Sequence, residues 1–144
     1  MSVELPFSPV DAIIRRHAGD LRVSSSATEA LAEAIQAEGA ALATAAAEAA
    51  TADDRKTLMV EDFEEIEAVP DRSSVTLPIA PVDRIARLDI DDRYRVSMDA
   101  RVALAATLEA WAGDVAEGAA TLARHAGRRT VQAEDVETYL HLRG

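Results

Sequence analysis

In the second half of the chain, apolar side chains recur at Leu104, Leu108, Trp111, Val115 and Leu122, in steps of three, four and seven residues. That spacing keeps them on one stripe of an α-helix. Ser97 stands before the run as its N-cap, so the pattern predicts a long helix starting there. A thinner stripe in the first half consists of Leu31, Ile35, Leu42, Ala46 and Ala49, with Glu38 where Trp111 stands in the second. Either Ser24 or Ser26 caps it, and Ser26 with Glu29 has the spacing of a capping box. Ahead of each long helix, Ser8-Pro9 and Ala80-Pro81 place proline where a first helical turn accepts it. The first of these short helices is expected to end by Gly19 and the second in the Asp91-Asp92 region. A third helix is expected after Thr57, to about Glu67, and again after Thr130, to about His141. Trp111 reads most simply as a core residue.

These elements come twice. Leu5-Pro6-Phe7-Ser8-Pro9-Val10-Asp11 returns 72 residues later as Leu77-Pro78-Ile79-Ala80-Pro81-Val82-Asp83. From Arg22-Val23-Ser24 against Arg95-Val96-Ser97 the offset is 73, so the second copy has one extra loop residue. At that offset Leu31 meets Leu104, Arg55-Lys56-Thr57 meets Arg128-Arg129-Thr130, and Glu61-Asp62 meets Glu134-Asp135. The period is too long for a solenoid unit. The boundaries read as a first, degenerate copy at 1–67, a linker at 68–76 containing Pro70 and Ser73-Ser74, and a second copy at 77–144. A helix of about 28 residues is roughly 40 Å long and cannot bury its stripe on two short helices. The copies are therefore expected to cross their long helices and share one core.

Composition permits that core, since 49% of residues are hydrophobic, and alanine is dense from Ala40 to Ala52, which favours helix. There is no cysteine, so no disulfide forms. Acidic groups outnumber basic ones, 26 to 15, for a net charge of -11, and Lys56 is the one lysine beside fourteen arginines. An acidic surface nearly free of lysine suits a very salty cytoplasm. Near 1 M salt the Debye length shrinks to about 3 Å and self-repulsion is tolerable. The imbalance is uneven: residues 1–70 carry 5 basic and 14 acidic groups, and residues 77–144 carry 9 and 11. No apolar run approaches the roughly 20 residues that span a bilayer, and the N-terminus lacks a signal-peptide pattern, so a cytoplasmic protein without membrane contact is expected. His17, His125 and His141 lack metal-ligand spacing, and no phosphate-binding glycine loop is present. The adjacent carboxylates Glu134-Asp135 and Asp53-Asp54 lack catalytic spacing. No enzyme, metal, cofactor or small-molecule substrate is expected.

Leu77-Pro78-Ile79-Ala80-Pro81-Val82, Arg95-Val96-Ser97, Leu122-Ala123-Arg124-His125-Ala126-Gly127-Arg128-Arg129-Thr130 and Ala133-Glu134-Asp135 together resemble an archaeal histone. That resemblance covers nearly all of the second copy, and the first copy keeps a weaker form of it. The chain thus resembles a tandem, or doublet, archaeal histone in a salt-adapted acidic form. The resemblance implies an all-α fold of two histone folds in one chain, forming an intramolecular handshake pseudo-dimer. It also implies a chromosome-associated, nucleoid protein that binds double-stranded DNA and bends or compacts it without strong sequence specificity. The alternative is a histone-fold protein-interaction or transcription-regulatory module, with transcription-related partners and weak or no DNA binding.

Site roles follow from the same resemblance. Arg84 stands where the family inserts an arginine into the minor groove, and the first copy has Ala12 there. Arg22 and Arg95 match the loop arginine before the long helix. Arg55, Lys56 and Thr57, with Arg128, Arg129 and Thr130, match the loop that grips phosphates, and Arg15 and Arg87 on the first helices complete the DNA-binding set. Arg55 with Asp62 and Arg128 with Asp135 are implied structural ion pairs. The handshake would set Arg22 beside Arg129 and Arg95 beside Lys56. Leu122, His125 and Asp135 match the family's chain–chain contact. The first copy has Ala49, Ala52 and Asp62 there, which implies self-association of two chains through their C-terminal halves only.

Overall fold

The computed structural model describes residues 3–64, 66 and 68–144. Its elements in order are α1 (Phe7–Ala18), β1 (Arg22–Val23), α2 (Ser25–Ala52), β2 (Thr57–Leu58), α3 (Ile79–Ala86), β3 (Arg95–Val96), α4 (Met98–His125), β4 (Thr130–Val131) and α5 (Ala133–Arg143). Between β2 and α3 lie two 3-10 turns, Val60–Asp62 and Arg72–Ser74, the latter inside the expected linker. Pro6 and Pro78 precede α1 and α3 with extended backbone. Gly19, at φ 63, closes α1 in a conformation that costs glycine little. Of the two serines that could cap α2, Ser24 does so, its Oγ accepting from Ala27 N at 3.1 Å. Ser26 instead bonds the Ser24 hydroxyl at 3.0 Å. Ser97 caps α4 in the same way, accepting from Ala100 N at 3.1 Å.

Two helices are shorter than the sequence predicts. α3 stops at Ala86, well before Asp91-Asp92. Continuing it would put Asp89, Asp91 and Asp92 at the negative end of the helix dipole; Asp91 instead accepts from Arg93 N at 2.9 Å in a tight turn. The third helix of the first copy is reduced to the 3-10 turn Val60–Asp62, and its expected end at Glu67 lies outside the described residues. The second copy shows what is missing. There the Tyr139 ring lies against Gly118, so close that a Cβ at that glycine would come within 2.1 Å of it. At the matched positions the first copy has Ala45 and Ile66, so it offers neither the notch nor the ring. Glu61, Asp62, Glu64, Glu65 and Glu67 add mutual repulsion, and Pro70 disfavours helix in the residue before it.

Gly118→Ala is accordingly expected to unseat α5. Overpacking costs about 1–3 kcal/mol, against about 1 kcal/mol of gained helix propensity. Hydrogen exchange should show α5 amides losing protection while those of α4 keep theirs; unchanged α5 protection would contradict this account.

The chain divides into two compact units, and neither coincides with a sequence copy. One comprises Gln36–Glu109 with the segment ending at Glu4; the other comprises Leu5–Ile35 and Ala110–Gly144. Each unit takes half of α2 and half of α4, so each core is built from both copies. This interlocking is the handshake, made within one chain.

In the unit containing α3, strands β2 and β3 pair in parallel, Thr57 with Arg95 and Leu58 with Val96. Leu58, Leu77, Val82, Ile85, Leu104 and Leu108 are fully buried. Gly39 lets the second half of α2 approach them, since a Cβ there would stand 2.7 Å from Ile85 and 2.9 Å from Leu108. The segments ahead of α1 and α3 dock by matched contacts: Glu4 N donates to Gln36 Oε1 at 2.8 Å, and Leu77 N to Glu109 Oε1 at 2.8 Å. In the other unit β1 pairs in parallel with β4, Arg22 with Thr130 and Val23 with Val131. Val10, Ile13, Ile14, Leu31, Ile35 and Val115 fill its core.

The buried stripes differ in part from the predicted ones. Along α2 they run through Ala27, Leu31, Ile35, Ala43, Ala46 and Ala50, and along α4 through Ala100, Leu104, Leu108, Ala112, Val115 and Ala119. Leu42, Trp111 and Leu122 are half-buried and Ala49 is exposed. Trp111 lies at the edge with the Arg143 guanidinium 6.0 Å from its ring centroid. In helices this rich in alanine, small side chains flank the large ones on both sides and blur the stripe.

Candidate nucleic-acid interface

The parallel bridges bring together loops that lie far apart in sequence. Arg22 N donates to Arg129 O at 2.8 Å and Ser24 N to Val131 O at 3.0 Å. In the other unit Arg95 N donates to Lys56 O at 2.8 Å and Ser97 N to Leu58 O at 3.0 Å. Each unit thus holds two cationic residues side by side through the main chain: Arg22 with Arg129, and Arg95 with Lys56. All four side chains are exposed, and among the described residues none of the four has a carboxylate partner. Thr57 and Thr130, in the bridges themselves, are half-buried. Tyr94, which the sequence did not single out, joins one of these sites. Its ring lies 5.0 Å below Lys56 Nζ, and its hydroxyl is hydrogen-bonded to Thr51. The other copy has Leu21 in its place, so composition alone gave no signal.

Beneath each cation pair sits an arginine–aspartate clamp. Arg55 donates to Asp62 at 2.7 and 2.8 Å, and Arg128 to Asp135 at 2.5 and 2.6 Å. Each carboxylate accepts a third bond at 2.8 Å, from Met59 N or Gln132 N. Arg55 and Arg128 also bond the carbonyls of Thr57 and Thr130, at 3.1 and 3.4 Å. Their guanidinium forks therefore face the fold and brace the loops, whereas their neighbours Lys56 and Arg129 face outward.

The three first-helix arginines expected to reach DNA, Arg15, Arg84 and Arg87, are each bonded to a carboxylate. Arg15 Nε donates to Asp11 at 2.7 Å, and Asp11 also accepts from Thr28 at 3.2 Å. Arg87 bonds Asp83 at 3.1 Å and Tyr94 O at 3.0 Å, with Arg101 on the same aspartate at 3.2 Å. Arg84 Nε meets Glu4 at 2.9 Å. Among the residues expected at a chain–chain contact, His125 is exposed and Leu122 half-buried. Asp135 is buried, and its oxygens accept from the Arg128 guanidinium and Gln132 N of its own chain.

The clamps make stability acid-sensitive. The Arg55 guanidinium holds Asp62 below the usual carboxylate range against its burial, with Met59 N–H helping. Burial pushes Asp135 up, but the bonds from Arg128 and Gln132 outweigh it, and Asp135 also lies below the usual range. Unfolding restores ordinary values near 4, so the unfolded chain binds more protons. The stabilisation is complete above that value and is lost as pH falls through the lower folded ones. Asp135→Asn is expected to lower Tm by on the order of 10 °C at pH 7. In melts run from pH 7 to pH 3, its deficit against wild type should narrow below about pH 4; a constant deficit would contradict the linkage.

Among the described residues no helix is long and apolar enough to cross a membrane, and no cluster of three or more metal-ligating side chains occurs. The family of histone-like transcription factors (CBF/NF-Y) and archaeal histones matches residues 3–65 and again 75–140. The chain is 55% identical over 60 residues to an archaeal histone HAN1 subunit from Thermococcus zilligii, covering 42% of this chain and 87% of that one. The crystal structure of the histone from Methanopyrus kandleri superposes with a TM-score of 0.71 at 29% identity, covering 94% of this chain and 92% of that one. A Thermus thermophilus protein shares the fold, with a TM-score of 0.72 at 16% identity over 96% of each chain. Proteins of this histone family are not enzymes. Matched once by each of its copies, with both interlocked as histone folds interlock, the chain belongs to the family of histone-like transcription factors and archaeal histones.

Proposed function

We propose that the chain is an architectural DNA-binding protein that binds double-stranded DNA without strong sequence preference, bends or compacts it, and is associated with the chromosome. The observation that carries this reading is the outward-facing cation pair on each parallel loop bridge, Arg22 with Arg129 and Arg95 with Lys56. Cations fixed by main-chain bonds, beside half-buried threonine hydroxyls, suit phosphate oxygens and carry no base-reading pattern. Similarity to two proteins named as histones supports it.

The acidic surface adapts the chain to a salty cytoplasm, and two chains meet through their C-terminal halves at Leu122 and His125. Transcription-related proteins are further candidate partners, consistent with the breadth of the family. The test is a salt titration of binding to mixed-sequence duplex. With about six phosphates contacted, a tenfold rise in salt should weaken binding by roughly 10⁵. No binding at the lowest salt that keeps the chain folded would overturn the reading and leave the protein-interaction module in its place.

A further inference from the structure

Most first-helix ion pairs are local or doubly held. Arg15 and Asp11 sit one turn apart on α1, and Asp83 is shared by Arg87 and Arg101. The pair between Arg84 and Glu4 is of another kind. It joins residues 80 apart, from the N-terminal segment of the first copy to α3 of the second. The Glu4 main chain is fixed by its bond to Gln36, and the next residue, Leu5, is buried. Only the carboxylate side chain needs to rotate to release the arginine. Arg84 is 54% exposed and Glu4 28%, so an incoming anion can reach the same guanidinium.

The internal repeat supplies an independent observation. The matched residue for Glu4 in the other copy is Thr76, and for Arg84 it is Ala12. Acid and base are present together at one edge and absent together at the other. An arginine serving phosphate alone has no need of an acid. Co-occurrence of this sort marks the two side chains as a functional pair.

We propose that Glu4 is an intramolecular competitor for Arg84, holding this first-helix edge closed until a DNA phosphate displaces the carboxylate. The exchange is feasible because an exposed ion pair is weak, whereas phosphate offers the guanidinium a bidentate partner of comparable geometry. Glu4 is thus a positioning residue that sets how much of the charge on this edge is spent on DNA. The inference rests on the proposed DNA binding and adds a gate to it.

The experiment is a salt titration of duplex binding for the full chain as wild type, Glu4→Gln, Arg84→Ala and the double variant, each checked for helicity by circular dichroism at the salts used. Glu4→Gln should tighten binding about two- to fivefold at low salt and steepen the salt slope by up to about one. In the Arg84→Ala background the same substitution should change affinity by much less. Binding by wild type with no gain in Glu4→Gln, or with an equal gain in both backgrounds, overturns the competition and leaves DNA binding intact. An equal gain would show Glu4 acting only as a general negative charge. Binding by none of the four proteins overturns the DNA reading and the gate together.

Discussion

Residues 1–70 expressed alone should be an unfolded monomer, even in high salt. Both of its strands lack their partners, because β1 pairs with β4 and β2 with β3, each from the second copy. Both halves of α2 likewise lie in units completed by second-copy residues. What remains has little to bury: of the buried apolar side chains of α2 only Leu31 and Ile35 are large, and the rest are alanines. Alanine burial returns little at about 25 cal/mol per Å², against a backbone ordering cost of about 1–2 kcal/mol per residue. The fragment also carries 14 acidic and 5 basic groups, so it repels itself. Circular dichroism and sedimentation at micromolar concentration test this, and helix should return when residues 71–144 are added in trans. A monomeric fragment that melts cooperatively would show that the first copy needs no partner core.

The duplicated architecture was legible because it rests on punctuation: prolines ahead of the short helices, serines ahead of the long ones, and Arg-Val-Ser and Arg-x-Thr at fixed offsets. These residues act through local backbone chemistry, so their meaning survives without neighbours. The departures arose where a distant residue decides. Whether a third helix forms depends on a notch at Gly118 or its absence at Ala45, one long helix away in sequence. The end of α3 depends on an aspartate turn competing with an otherwise helical run. The edge position of Trp111 follows from which flank of an alanine-rich helix faces the core, and alanine does not encode that choice.

The candidate site was legible in the same uneven way. Matching loops pointed to Arg22, Arg95, Lys56 and Arg129, and the parallel bridges set them in adjacent pairs. What the sequence did not show was how many other arginines are bonded to carboxylates. Asp11, Asp83 and Glu4 reach Arg15, Arg87 and Arg84 only once helices and segments have packed. Charge in this protein is therefore better judged residue by residue than from its net of -11. A chain with a strong overall negative charge can still present isolated, outward-facing cations.

Removing one such pair should be the largest single perturbation of DNA binding. The double variant Arg22→Ala, Arg129→Ala takes away two phosphate contacts at one bridge. The bridge itself should persist, because it is made by Arg22 N and Arg129 O of the main chain, and the Arg128–Asp135 clamp beneath it is untouched. Each lost contact should flatten the salt slope by about 0.9, so the pair should cost roughly 60-fold in affinity at 0.1 M salt, shrinking toward nothing near 1 M. Removing Arg95 and Lys56 together should give a loss of the same order, the fate of Lys56 being complicated only by its contact with Tyr94. Arg93→Ala is the control, since Arg93 is exposed but bonded to Asp91, and its removal should change affinity by no more than about threefold. Fluorescence anisotropy with mixed-sequence duplex at several salt concentrations reads both slope and affinity. If both double variants kept the wild-type slope, the loop bridges would not be where phosphate is held.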